Sequence, residues 1–334
     1  MLIIVEPNLQ FNYLNINDHR FVCGAITPAP GKYIISKDTL YSQQQTVRAS
    51  ISNGSRVVVD ITDESVATQR HLKDKFPKLC YLSGGETELG DVANINNEHF
   101  LAATIGSNPQ FTPDTPMIYD HLRERPYNFL FLNRKMRPHR RYMVANLHKK
   151  GLLENALWSC LESHTTWAHN DFNRKYDEDS NITIQKLPIV YHPDPMPDWY
   201  DGVVFEQMFR DTWFSLVNET HFEYNASFRT EKIYKTILAG HPFVVIANRH
   251  FLLHLVNLGF KTFGDFWDER YDWEEEPIAR MEKIIKLVDD LQKKDWKQLW
   301  QVTEEIRIHN RNHLFHLHTT QHNTFTNKLV KWFN

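Results

Sequence analysis

The chain has 334 residues, 41% hydrophobic and 24% charged, with 12 Gly and 15 Pro; this is globular composition and excludes fibrous and disordered classes. Its 38 Lys and Arg against 41 Asp and Glu leave a formal charge of −3, so no basic field exists to hold a nucleic acid, and a partner of that class is not expected. The three cysteines, Cys23, Cys80 and Cys160, lack metal-ligand spacing, fit a reducing cytoplasmic compartment and read as small buried apolar residues.

The opening run Met1-Leu2-Ile3-Ile4-Val5 is too short for a signal segment and has no basic flank, so it predicts a first strand. No stretch approaches the roughly 18 apolar residues that span a bilayer. Arg56-Val57-Val58-Val59-Asp60-Ile61 predicts a strand, Glu64 to Lys75 a helix, and Leu79-Cys80-Tyr81-Leu82 a second strand that ends in the turn Ser83-Gly84-Gly85, which together make a βαβ unit. From Gly106 to Pro116, Gly, Ser, Asn and three prolines break all periodicity, and a domain boundary is placed near there.

Beyond the break, Tyr127 to Leu132 predicts a strand and Arg140 to His148 a helix that ends at Gly151; the Asp-rich stretch His169 to Asn181 reads as a surface loop. Trp213 to Val217 predicts a strand, Glu231 to Ala239 a helix stopped by Gly240 and Pro242, and Phe243 to Ile246 the next strand. Ile278 to Leu291 and Trp296 to about Phe333 predict amphipathic helices. Strand and helix alternate throughout, so the expected class is α/β with two facing Rossmann-like domains, a cleft between them and a long C-terminal helix. The expected boundaries are 1–120, 121–300 and a C-terminal helical segment, 301–334, that crosses back onto the first domain.

In open α/β sheets ligands bind outside the carboxyl ends of strands, so the loops after the strands carry the candidate chemistry. Asn133-Arg134-Lys135-Met136-Arg137-Pro138-His139-Arg140-Arg141 follows a strand, opens a helix and holds five cations in nine residues. A helix N-terminus favours anions and Arg forks bind phosphate oxygens in pairs, so a phosphate site and a solvated basic turn are both open readings. Phe228-Arg229-Thr230-Glu231-Lys232-Ile233 is a second strand-to-helix passage, with Thr230 as N-cap and Glu231 in the first turn. Arriving after Asn218-Glu219, it puts a carboxylate for sugar hydroxyls and an ammonium for phosphate together, or else an ordinary surface pair. In Ser83-Gly84-Gly85-Glu86-Thr87-Glu88 two carboxylates stand on a glycine turn, fit for a general base or for a solvated acidic turn.

These three loops, in this order over roughly residues 80 to 270, resemble the α1,3-fucosyltransferases, glycosyltransferases of the two-domain GT-B type. The resemblance lies in Phe214-Ser215-Leu216-Val217-Asn218-Glu219 followed by Thr230-Glu231-Lys232-Ile233, in Asn133 with Pro138-His139-Arg140, and in Gly85-Glu86-Thr87-Glu88. It implies an acceptor-side first domain, a second domain that binds a nucleoside-diphosphate sugar such as a GDP sugar, and inverting transfer of fucose or a related sugar to a glycan hydroxyl. No cofactor or metal is implied, because cationic side chains stabilise the departing diphosphate. By position, Glu86, with Glu88 as its substitute, would be the general base; Arg140 and Lys232 would neutralise the diphosphate; Glu231 would hold hydroxyls. Asn133, Arg134, Arg137, Asn218, Glu219, Phe228 and Thr230 would complete the donor site.

The chain departs from that family at three places. Asn218-Glu219 reverses the usual Glu-Asn order, Phe228 replaces a common Tyr, and Ala247-Asn248-Arg249-His250 replaces an aromatic-Gly turn. Glu223 and Glu231 have the E-x7-E spacing of retaining transferases, which keeps retention open. Transfer onto a modified DNA base, and a non-catalytic nucleotide-sugar or glycan binder, are the alternative functions. His309, His313 and His316 share a helical face, with His318 and His322 close behind, and read as a solvated or interdomain-packing face rather than a metal site. Trp267 and Trp273 read as core or interdomain filler, and Asp272 to Glu276 as a cap on the helix starting near Ile278.

Overall fold

The computed structural model of the chain describes residues 2–7, 9, 20–61, 71–72, 75–76, 79–83, 94–96, 99–115, 123–133, 137–159, 203–222 and 228–334. It is a mixed α/β fold of two compact units, one made of Met1–Ala103, Asn225–Arg229 and His316–Asn334, the other of Thr104–Tyr224 and Thr230–Phe315.

The first unit carries a parallel sheet of β1 (Ile3–Val5), β2 (Phe21–Cys23), β3 (Lys32–Ser36), β4 (Arg56–Asp60), β5 (Cys80–Ser83) and β6 (Asn94–Asn96) in the order β2-β1-β3-β4-β5-β6. Val57, Val58 and Val59 are all buried, as strands covered on both faces require. Between β3 and β4 run α1 (Lys37–Ser42) and α2 (Gln44–Ser52); α3 (His99–Gly106) follows β6. One face of the sheet packs Ile3, Val5, Ile34 and Val58 against Phe325, Leu329 and Phe333 of the C-terminal helix. The other packs Tyr33, Val57, Val59 and Tyr81 against Leu40, Val47 and Leu72.

The second unit holds β7 (Tyr127–Phe131), β8 (Ala156–Trp158), β9 (Thr212–Asn218) and β10 (Phe243–Ile246), all parallel, in the order β10-β9-β7-β8. Its helices are α4 (Pro138–Lys149), α5 (Glu206–Arg210), α6 (Glu231–Leu238), α7 (Phe251–Asn257), α8 (Pro277–Gln292), α9 (Trp296–Val302) and the first part of α10 (Glu304–Phe333). β9 is buried along its whole length. Its ring Phe214 stacks on Phe129 of β7 at 5.3 Å and on Trp296 of α9 at 4.8 Å, which ties the sheet centre to the helical layer. The buried Ser215 hydroxyl lies 2.8 Å from Nδ1 of His241, whose Nε2 lies 2.8 Å from the Thr212 carbonyl. That carbonyl can only accept, so the ring carries its proton on Nε2 and takes the Ser215 hydroxyl on Nδ1.

Several expectations need correction. Cys80 is buried, but Cys23 is exposed, because it ends the edge strand β2 on its outward side. Trp267 is core, whereas Trp273 is 56% exposed. The segment from Trp296 to Phe333 is two helices, since Thr303 ends α9: its hydroxyl and the Arg307 guanidinium bond the Leu299 and Trp300 carbonyls. The acidic cap is real and divided: Glu276 accepts from Ala279 N at the start of α8, while Asp272 accepts from Leu252 N and Leu253 N at the start of α7. The loop expected over His169 to Asn181 and most of the helix expected over Glu64 to Lys75 lie outside the described residues. Among the described residues, no helix is long and apolar enough to cross a membrane.

Candidate functional site

In both sheets the strand order reverses at one crevice, between β1 and β3 in the first unit and between β7 and β9 in the second, and such crevices are where ligands of open α/β sheets bind. The two are built differently. In the first, the Glu6 carboxylate, beyond the end of β1, accepts from Ser36 N at 2.6 Å, Ser36 Oγ at 3.1 Å and Thr39 Oγ1 at 2.6 Å, so the protein supplies its own anion there. In the second, three cations, Arg137, Arg140 and Lys232, gather with the buried carboxyls of Glu219 and Glu231.

Local sequence explains that gathering. Pro138 at the first helical position of α4 needs no N–H partner, and Arg137 before it is extended; the first turn of α4 contains no acidic residue. His139 and Arg140 follow, both buried. The His139 ring lies 3.0 Å from the Glu219 carbonyl through Nε2 and stacks on Phe222 at 5.2 Å. Nη2 of Arg140 donates to the Asn218 and Glu219 carbonyls, each at 3.0 Å. The start of α4 thus grips the carboxyl end of β9 and sets two charged or polar side chains at the crevice.

A chain of amides crosses the crevice. Asn133 donates through Nδ2 to the Ser159 carbonyl, so its Oδ1 must face Asn218, which donates to it at 2.9 Å. The Asn218 Oδ1 is thereby fixed pointing away from this chain of bonds. It is buried without a hydrogen-bond partner among the described residues.

On the far side, Thr230 caps α6. Its hydroxyl donates to Glu219 Oε2 at 2.5 Å and its backbone N donates to Glu219 Oε1 at 3.3 Å, while the same hydroxyl accepts from Lys232 N. The Lys232 ammonium lies 2.5 Å from Glu231 and 3.2 Å from Thr230 Oγ1. Burial raises the Glu219 carboxyl above its usual range, against the pull of Lys232. Burial also opposes ionisation of Glu231, but Lys232 and Lys235 outweigh it and hold that carboxyl below its usual range.

Two imidazoles are buried beside these cations. His139 is pushed well below the usual range by burial and then by Arg140. His221 is pushed down to about 4 by burial and by Arg137, Arg140 and Lys232. Both rings are neutral at neutral pH chiefly because they are buried, and the neighbouring cations push them further the same way.

Of the residues chosen from sequence, the structure brings together Asn133, Arg137, Arg140, Asn218, Glu219, Thr230, Glu231 and Lys232. Phe228 belongs to the first unit, where it is buried edge-on against Phe100. Arg134, Glu86, Glu88 and Glu223 lie outside the described residues. Sequence reasoning missed Ser159, His139 and His221; His139 stood inside the quoted Pro138-His139-Arg140, whereas Ser159 left no signal. The helical histidines do another job: His309 and His313 bond the Gly259 and Leu258 carbonyls at the end of α7.

No family model matches the chain, and no curated protein matches it. Among solved structures, a chain of the GtfA/B complex is similar at a TM-score of 0.41 and 11% identity, over 90% of this chain and 57% of that one. The chain therefore spans a little over half of that protein's length, and the likeness is too distant to carry function.

Proposed function

We propose that the protein is a glycosyltransferase of the two-Rossmann-domain type, whose second unit binds a nucleoside-diphosphate sugar at the β7/β9 crevice. The observation that carries this reading is the cationic set Arg137, Arg140 and Lys232 at the starts of two helices that flank the switch point. Arg140 spends hydrogen bonds on the β9 carbonyls, so it braces the crevice and lends charge, while Arg137 and Lys232 take the diphosphate oxygens. Glu231, kept ionised by Lys232, accepts hydrogen bonds from hydroxyls of the donor ribose or sugar.

Transfer in this reading is a single inverting displacement. Glu86 removes the proton of a glycan hydroxyl, the hydroxyl oxygen bonds the anomeric carbon, and the bond to the nucleoside diphosphate breaks, its charge met by the cations. Fucose or a related sugar is the proposed group transferred. The test is product analysis with GDP-, UDP- and CDP-sugars: wild type releases free nucleoside diphosphate from one of them, and Glu86→Gln abolishes release while binding survives. Release undiminished in Glu86→Gln would remove that residue from the mechanism, and binding of no nucleotide would sink the whole reading.

A further inference from the structure

The loop after β10 departs from the fucosyltransferase pattern, and it carries features that neither capping nor core packing uses. Register places Ile246 opposite Asn218, and Glu219 N donates to the Ile246 carbonyl, so this loop leaves the sheet beside the crevice. Two residues on, Asn248 is 1% exposed and gives Nδ2 to the Arg249 carbonyl at 2.8 Å. That bond fixes its Oδ1, which is buried with no partner among the described residues. Asn218 and Asn248 thus present two buried amide oxygens without donors at the carboxyl ends of neighbouring strands. A buried acceptor left unmade is costly, so such groups point to a donor that arrives from outside the chain.

His250 is next. It has φ 64°, the left-handed conformation that non-glycine residues adopt uncommonly. Its backbone N donates to the Asp272 carbonyl, while the Asp272 carboxylate caps α7, so the His250 side chain is not needed as a cap. Its Nε2 is buried and has no partner among the described residues. Its ring meets Trp273 at 4.7 Å, and that indole is 56% exposed.

Resting on the nucleoside-diphosphate reading above, we propose that Asn248, His250 and Trp273 form the seat of the donor's nucleobase, with Asn218 as a further acceptor on its inner side. A base offers what this ledge lacks: N–H donors for the fixed amide oxygens and a π-face for the indole. Base–aromatic stacking is strong enough to set nucleotide preference by about tenfold. Sugar hydroxyls can also donate to amides and a sugar's C–H face can stack on an indole, but the nucleoside diphosphates titrated below carry no donor sugar.

The test is calorimetric titration of the full chain with pyrophosphate, GDP, UDP, ADP and CDP. Wild type binds at least one nucleoside diphosphate about tenfold or more tighter than pyrophosphate. Trp273→Ala, at an exposed position that tolerates truncation, and Asn248→Leu each remove most of that excess and leave pyrophosphate affinity within about twofold, while Trp273→Phe restores part of it. Pyrophosphate binding with no nucleoside preference, or a preference that both variants keep, would overturn the base seat and leave the diphosphate site standing. No binding of any of the five would overturn both.

Discussion

Thr230 joins the two sides of the crevice, and replacing it by Val keeps the shape while deleting one hydroxyl. Two losses follow. The cap on α6 goes, since Lys232 N loses its acceptor, at about 1 kcal/mol. Glu219, fully buried, also loses the 2.5 Å bond from the hydroxyl and keeps the weaker backbone donation at 3.3 Å, at about 1–3 kcal/mol. The expected total is about 2–4 kcal/mol, read as a lower urea midpoint at unchanged slope, with Thr230→Ser within about 0.5 kcal/mol of wild type. The deficit has a pH signature. Glu219 already has its carboxyl raised by burial, and the lost bond favoured the ionised form, so removing it raises the carboxyl further. The protonated acid suffers less from the loss, so the deficit is smaller near about pH 5 than near about pH 8. A Val variant as stable as the Ser variant at both pH values would refute the idea that this hydroxyl organises the crevice.

Three other outcomes are expected. Burial raises the Glu269 carboxyl to about 7, so the folded state keeps a proton that the unfolded state has released, and stability falls as pH rises from the usual carboxylate range through about 7. Glu269→Gln retains an acceptor for Phe263 N and should recover about 1–2 kcal/mol at about pH 8.5 but nothing near pH 4, measured by melting across that range. Phe129→Ala opens the stack on Phe214 and should cost about 3–5 kcal/mol in urea unfolding, against a change within about 0.5 for Ile278→Ala on the surface. His313→Ala removes the bond to the Leu258 carbonyl and should cost about 1 kcal/mol; Gly259→Ala should cost more, because φ there is +96° and a Cβ would meet the His313 ring at 2.6 Å.

The legible parts of this chain are those where period, cap and breaker agree. β9 and α6 could be read because a long apolar run, a Thr cap and Gly240 all point one way, and β4 because three valines stand in a row. β2 was not legible: three residues, one of them an exposed cysteine, give no alternation to detect. Nor was the break at Thr303, since a back-bonding threonine inside an apolar-periodic segment looks like helix interior until Arg307 is seen capping the last carbonyls. At the site, charge was readable and geometry was not. The cations of the Asn133 to Arg141 loop announced themselves, yet that Arg140 braces β9 while Arg137 stands half exposed depends on which side of Pro138 the helix buries. His221 and Ser159 gain meaning only from strands distant in sequence. Trp273 was expected in the core because aromatic residues cluster around it; its neighbour Asp272 faces inward to cap α7, which turns the indole outward.

The central claim is that the β7/β9 crevice receives a diphosphate. Titration of inorganic pyrophosphate into wild type and into the Arg137→Ala/Lys232→Ala pair tests it most directly, with melting in the absence of ligand to show that both proteins are folded. Two opposite charges about 4–5 Å apart at an effective dielectric near 20 attract by about 3–4 kcal/mol before desolvation, so each cation should contribute about tenfold and the pair about a hundredfold in Kd. Saturable binding to wild type that weakens with salt and is lost in the folded double variant is the predicted result. Binding of equal strength to both proteins, or none to wild type, would contradict it.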